Sequence, residues 1–338
     1  MGLFPGLAQE GYVVERLKSL TGPGWMTSSL PVGVFREITG GKYITVQRSV
    51  LSSHLYAACA GIESRFSCSI AAVEPGEKGR VSARFDNGVR ETFDLLVGAD
   101  GLHSTTRRLV FGPQERYERS LGLHVAALVL EGYRPRDEAT YVQYTRPNRQ
   151  ISRLSLRDDK TLILFVFNDA LFEGDPDGDV MGKAALRAVY ADMGWESDAI
   201  LARLDEAESL YLDRVSQIEM PHWTNGRVAL VGDAAGCISL LGGEGTGLAM
   251  TEAYVLAGEL HRAAGDYSAA FAAYESRLKA YVTRKQVAAR RLNGFFAPRS
   301  WFGLVLREVA TNLASIPFLT RRLVGAGMTE EIDLPDYG

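Results

Sequence analysis

The sequence predicts an α/β fold of mixed α+β character, in which a doubly wound domain is interrupted by a separate β layer and followed by C-terminal helices. Three observations carry that expectation. Two short apolar runs, 95–97 and 228–231, each end in glycine and aspartate, at Gly98-Ala99-Asp100 and Gly232-Asp233. That is the carboxyl-end position at which open α/β sheets present ligand-binding groups. Residues 119–220 hold a series of β-like segments joined by Pro, Asn and Asp. Beyond residue 260 the apolar residues fall at helical spacing.

Taken in order, the first twenty residues read as a helical segment, because Val13, Val14, Leu17 and Leu20 share one helix face after a turn at Gly11. Gly22-Pro23-Gly24 ends it with turn chemistry. Residues 43–46 alternate as a strand does, and a helix over 49–60 follows with Ser49 as its cap. Residues 68–73 and 81–85 read as strands. Asp86-Asn87-Gly88 turns the second into 89–93, since Asn-Gly tolerates positive φ at both central positions. The β layer comprises 121–130, 139–144, 151–156 and 161–167, then helices at 182–192 and 197–204 and a strand at 210–219. Met220-Pro221-His222-Trp223 is a connection, in which His222 reads as a surface histidine rather than a base. Residues 248–260 form a proline-free helix, residues 267–291 another, and 301–313 resume an amphipathic pattern after a break at 293–298.

Composition narrows the function. A chain of 338 residues holds one large domain or two intimate ones, and 46% hydrophobic with 23% charged residues is the balance of a globular protein. A net charge of −4 gives no reason to expect a nucleic-acid partner. Cys59, Cys68 and Cys237 lack paired metal spacing, so no metal site is expected; a reducing compartment and buried thiols acting as small apolar residues account for them. No apolar run reaches membrane-span length and the opening Met1-Gly2-Leu3-Phe4-Pro5 is not a signal peptide, which makes a cytoplasmic location the default expectation. Arg284, Lys285, Arg290, Arg291 and Arg299 could meet a membrane surface, but a terminal helix packed across the domain accounts for them, and membrane contact is not expected.

The two glycine-aspartate strand ends carry the functional signal. After Gly232-Asp233, a loop containing Gly242, Gly243, Gly245, Thr246 and Gly247 has almost no side chains, so backbone can approach a ligand closely. The helix that follows turns its free N–H groups back into that loop, where electron-rich ligand atoms are favoured. In Gly98-Ala99-Asp100-Gly101-Leu102-His103-Ser104-Thr105-Thr106-Arg107, Gly101 permits a tight turn and Ser104 can cap the short helix. Arg107, one turn later, can hold the loop or an anion.

Both segments resemble motifs of the FAD-dependent aromatic hydroxylases, the group A flavoprotein monooxygenases. The second matches Gly-Ala-Asp-Gly-x-x-Ser-x-x-Arg at each defining position. Val46-Gln47-Arg48-Ser49-Val50-Leu51 is similar to the family's Val-x-Arg-x-x-Leu element, whose arginine lies against the flavin. The resemblance implies that Asp233 binds the ribityl chain of FAD and that the backbone from Gly245 to Leu248 faces the pyrimidine edge. It makes Arg48, Asp100, Gly101, Arg107, Gly232, Asp233, Gly243, Gly245, Thr246 and Gly247 the cofactor-binding candidates, with no protein nucleophile required. It implies further an FAD-binding part over 1–118, an inserted substrate-binding sheet over 119–220, and a second FAD-binding part with C-terminal helices over 221–338. Departures occur at Gly236, where the family often has an aromatic residue or histidine, and at Ser239 or Leu240, near which it has proline.

One expected motif is not found. The family opens with a βαβ unit whose Gly-x-Gly-x-x-Gly turn holds the FAD pyrophosphate, and this sequence contains no such pattern, so the FAD-binding domain reads as incomplete. Its absence is expected to leave the apolar edge of a neighbouring strand exposed. Three readings compete: a sequence that begins late, a second chain that supplies the βαβ unit, or a protein that has given up tight FAD binding. The function expected is an FAD- and NAD(P)H-dependent monooxygenase that hydroxylates a small hydrophobic aromatic or polyketide-like molecule. The alternative is a non-redox cyclase or isomerase, or a binding protein, on a remnant flavoprotein fold.

Overall fold

A computed structural model describes residues 2–33, 45–172, 179–239, 243–315 and 332–338. In chain order its elements are α1 (Phe4–Glu10), β1 (Arg16–Thr21), β2 (Trp25–Pro31), α2 (Arg48–Ala58), β3 (Ile70–Pro75), β4 (Val81–Phe85), β5 (Arg90–Phe93), β6 (Leu96–Gly98), α3 (Thr105–Val110) and β7 (Glu118–Glu131). They continue with β8 (Thr140–Arg146), β9 (Arg149–Ser155), β10 (Lys160–Asn168), α4 (Asp179–Tyr190), α5 (Ser197–Ala202), β11 (Tyr211–Ile218), β12 (Thr224–Asn225), β13 (Val228–Leu230), α6 (Asp233–Gly236), α7 (Gly245–Arg262), α8 (Tyr267–Phe296) and α9 (Trp301–Ala314). The chain divides into two compact units. One comprises residues 1–63, 122–214 and 294–330, the other 64–121, 215–293 and 331–338.

The first unit is built on a seven-stranded sheet ordered β11-β7-β10-β9-β8-β1-β2. β8, β9 and β10 form an antiparallel meander with β7, while β1 lies parallel to β8. Alternating strand residues bury Ile151, Ile163, Phe165 and Phe167 completely, and α4 packs Leu186 and Tyr190 onto them. A charged group is buried here too. Arg153 on β9 bridges Asp137 at 2.7 Å and Glu196 at 2.9 Å, so its guanidinium stays compensated although it is 3% exposed. α9 docks through its polar face: Arg307 and Glu308 form a buried pair, and Glu308 accepts hydrogen bonds from Thr27 and Ser28 on β2.

Several expectations need correction here. Of the expected helical face, Leu17 and Leu20 lie on a strand and Val13 and Val14 on neither helix nor strand; the helix of this segment is α1, at 4–10. Residues 16–21 are β1, and Gly22-Pro23-Gly24 is the turn of a β1–β2 hairpin, with Gly24 N–H donating to Thr21 O at 3.1 Å. The sheet thus takes in β1 and β2 from the first thirty-one residues as well as strands from 118–218, and the compact units divide at 63/64, 121/122, 214/215, 293/294 and 330/331. Ser49 lies inside α2 instead of capping it; the cap position is Gln47, which makes no side-chain cap bond. The proposed strand at 43–46 falls largely outside the described residues, leaving Thr45 bridged to Tyr12.

The second unit carries two three-stranded sheets, β3-β4-β5 and β12-β13-β6. The β4–β5 turn closes at Asn87-Gly88 as expected, but only Gly88 takes positive φ, at 85°. Behind the β12-β13-β6 sheet, α7 and α8 bury Val255, Leu256, Phe271, Tyr274 and Leu278. Residues 332–338 lie along α7. Tyr337 donates to Glu259 at 2.7 Å, stacks edge-on to Tyr254 and covers Gly258, where an added Cβ would meet its ring at 2.2 Å. Cys237 is buried and its thiol is pushed up by burial and by neighbouring Asp233, whereas Cys59 is exposed, contrary to expectation. No helix of the described residues is long and apolar enough to cross a membrane.

Candidate functional site

The two glycine-aspartate segments meet in the second unit because their strands are neighbours. β6 and β13 run parallel with Leu96 opposite Val228 and Gly98 opposite Leu230, and Val231 N–H donates to Gly98 O at 3.0 Å. Parallel pairing puts both carboxyl ends on one side. The close fit requires glycine at 98, where a Cβ would meet Leu230 at 2.7 Å and Thr106 at 2.8 Å.

Asp100 is exposed and organises its own turn. Its Oδ1 accepts the Ser104 hydroxyl at 2.5 Å and its Oδ2 the Thr106 N–H at 2.8 Å. Burial of the carboxyl opposes its charge, but these bonds prevail and hold it below the usual carboxylate range. Gly101 follows with φ 78°, and Ser104 caps α3 by accepting from Arg107 N–H at 2.9 Å. Both turn roles follow the expectation.

Arg107 is no surface arginine. It is fully buried, and its guanidinium donates to Leu102 O at 2.6 Å, Gln114 Oε1 at 3.0 Å and Ala234 O at 3.1 Å. The last bond reaches the residue after Asp233, so Arg107 pins one motif to the other. Of the two roles the residue type allowed, it holds the loop.

On the other strand end, Gly232 adopts φ 63° and ψ −143°, a conformation open to glycine, and a Cβ there would meet Ala249 at 3.0 Å. Asp233 begins α6 half-buried, with its Oδ1 3.6 Å from where a Cβ on Gly245 would stand. α7 starts at Gly245 without a side-chain cap, so its first N–H groups are free to bind. Thr246 and Gly247 are exposed, and a Cβ on Gly243, Gly247 or Gly101 would meet nothing within 4 Å. A carboxylate acceptor thus faces an uncapped helix end across a surface kept bare by glycine. Gly242 and Leu240 lie outside the described residues. Gly236 has a reason of its own: a side chain there would strike Val282 at 2.8 Å and Trp223 at 3.4 Å. Arg48 belongs to the other compact unit, where it is the exposed first residue of α2. His222 is exposed and sits 3.3 Å from Glu275, in keeping with a connection residue.

The sequence reading missed Glu252 and Tyr274. Glu252 is fully buried on α7, accepts the Gly232 N–H, and lies 3.4 Å from the Tyr274 hydroxyl. The signal was present: Leu248, Glu252, Val255, Leu256 and Glu259 share one helix face, so a carboxylate stands in an apolar stripe.

The chain is similar to known proteins in sequence and in fold. The FAD binding domain family model matches residues 45–294. A flavin-dependent monooxygenase of Legionella longbeachae is 33% identical over 294 residues, covering 85% of this chain and 73% of that protein. Another, from an unknown prokaryotic organism, is 35% identical over 243 residues, which is 72% of this chain and 62% of the relative. The chain therefore spans about three fifths of the length of that relative. Among solved structures, tetracycline destructase Tet(51) is similar with a TM-score of 0.82 and 27% identity, over 99% of this chain and 85% of that one.

Proposed function

Since the chain belongs to the FAD-binding flavin-dependent monooxygenase family, we propose that it forms the greater part of an FAD-dependent monooxygenase acting on a small hydrophobic aromatic or polyketide-like molecule. The observation that carries the proposal is the pairing of Asp233 with the uncapped, glycine-bare start of α7. Asp233 is a ready acceptor for the hydroxyls of a ribityl chain. The N–H groups of Gly245, Thr246 and Gly247 are ready donors for the electron-rich edge of a flavin ring. Asp100, Gly101 and Arg107 hold the neighbouring turn. Gly232 and Gly243 keep the backbone close, and Arg48 is assigned to the flavin by its motif alone. When bound, FAD supplies the redox chemistry, taking electrons from NAD(P)H and passing one atom of O2 to the substrate. The residues of this chain bind, orient and exclude water; none is assigned a covalent step.

The substrate class is supported by the apolar sheet of the first unit and by the likeness to a protein named for destroying tetracycline, a polycyclic molecule. The substrate-binding role is assigned to residues 119–220 and the cofactor role to the flanking segments, and a cytoplasmic location is retained. β6 has a strand neighbour on one side only among the described residues, and its Val97 is 45% exposed. A parallel strand laid on that edge, in cis or from a second chain, would extend the sheet.

The test is to purify the protein, titrate it with FAD, and follow NADH and NADPH oxidation with polycyclic phenols present. A flavin spectrum and substrate-stimulated oxidation with an oxygen atom in the product are expected. Colourless protein that adds no oxygen, and converts or merely binds such a substrate without NAD(P)H, would instead support the non-redox alternative.

A further inference from the structure

Glu252 stands outside the roles given so far. It is 0% exposed, and among the described residues only one of its carboxyl oxygens is used: Oε2 accepts the Gly232 N–H and lies 3.4 Å from Tyr274 Oη, while Oε1 has no partner there. An ionised carboxylate so placed would leave an oxygen uncompensated in a low-dielectric interior. The hydrogen-bond count points the same way. Tyr274 has one hydroxyl proton, and its Oη is 3.0 Å from Leu230 O, closer than to Glu252. With that proton on Leu230 O, Tyr274 Oη can accept from a protonated Glu252, giving a chain from carboxyl to phenol to carbonyl. The groups that face Glu252 are Asp233 from the turn and Tyr274 from α8, with Glu275 acting on Tyr274; no cation among them favours its charge.

We propose that Glu252 is a positioning residue held as a neutral acid, which locks the Gly232 turn to α7 and α8 and thereby sets the direction of Asp233. The geometry is specific. Gly232 sits in a conformation open to glycine, its N–H is tied by Glu252, and Leu230, two residues before it, is tied through Tyr274. One side chain thus couples three elements at the strand end that carries Asp233. Burial, the largest influence, pushes Glu252 up to about 8. Ionisation would place its charge beside Asp233 and remove the proton that links it to Tyr274. The lock should therefore loosen above that pH. Its consequence for flavin rests on the proposed role of Asp233, but the lock itself does not.

The test uses Glu252→Gln, which keeps the shape and cannot ionise. An unfolded glutamate loses its proton near pH ~4.3, whereas the folded one keeps it to about 8. Folding then takes up a proton between those values, and stability falls as pH rises through the window. Wild-type Tm should decline from pH 5 to 8 more steeply than that of E252Q, and E252Q should be the more stable protein at pH 8. Equal slopes would overturn the proposal. Infrared spectra of the wild-type protein provide a check independent of the variant: a protonated-carboxyl C=O band should persist at pH 7 and vanish by pH 9, and its absence at pH 7 would also overturn it. FAD titration separates the two readings. Wild-type affinity should fall several-fold between pH 7 and 9 and that of E252Q should not. If Asp233→Ala leaves FAD affinity unchanged while the Tm slopes differ as predicted, the flavin assignment fails and the lock stands.

Discussion

Replacing Arg107 with alanine would remove a side chain that ties the Asp100 turn to the Asp233 turn. Three acceptors, Leu102 O, Gln114 Oε1 and Ala234 O, would lose a charged donor in a buried to half-buried site, and the space of a fully buried large side chain would be emptied. Burial lowers the pKa of Arg107, and the charges of Asp100 and Glu118 act against that effect. A single hydrogen bond to a charged group contributes about 1.5–3 kcal/mol, and the three do not add in full. Leaving buried neutral acceptors unpaired costs about 1–3 kcal/mol each, less than additively, and the emptied cavity adds to this, so about 3–5 kcal/mol is expected for R107A. For a unit on the order of 150 residues, each kcal/mol lowers Tm by about 2–4 °C, so Tm should fall by roughly 6–20 °C. Urea denaturation gives the free energy and calorimetry the Tm. Arg107→Lys should keep the charge but lose the forked geometry, and recover less than half. A loss below about 1 kcal/mol for R107A, or full recovery by R107K, would refute the pin.

Three further outcomes are expected. Asp100→Asn should weaken the protein at neutral pH and flatten its acid limb. The folded carboxyl is held below its usual range, so its contribution is present above the unfolded pKa of ~3.9 and lost as pH falls through the folded value; pH-dependent Tm measurements read this directly. Gly258→Ala should cost about 1–3 kcal/mol by expelling the Tyr337 ring, yet be neutral or stabilising in a Tyr337→Ala background, which a double-mutant cycle in urea would measure. Arg153→Met should cost the sheet unit about 3–5 kcal/mol, because Asp137 and Glu196 lose their shared guanidinium, and the loss should shrink when both carboxylates are also made neutral amides.

The parts of the site that were legible in the sequence are those fixed by local chemistry. Gly98 to Arg107 encodes a strand end, a glycine turn and a serine cap within ten residues, and each appears as read. Val228 to Val231 was legible as a buried strand because its apolar run is short and bounded. The misreadings come from long-range pairing. Leu17 and Leu20 have helical spacing, but Ser19 is the residue β1 buries, bonded to Gln143 of β8 124 positions away. No local pattern encodes that partner. Arg107 shows the same limit: its residue type allowed either a loop contact or an anion contact, and only the fold brings Ala234 O within reach.

In the proposed function Asp233, set between its strand and the bare start of α7, holds the flavin. FAD titration of the wild-type protein and of Asp233→Ala, read by flavin fluorescence at pH 7, tests it most directly. Loss of a charge-assisted hydrogen bond, about 1.5–3 kcal/mol, predicts affinity weakened by about 10- to 150-fold. Equal affinities in the two proteins, with both folded, would contradict it.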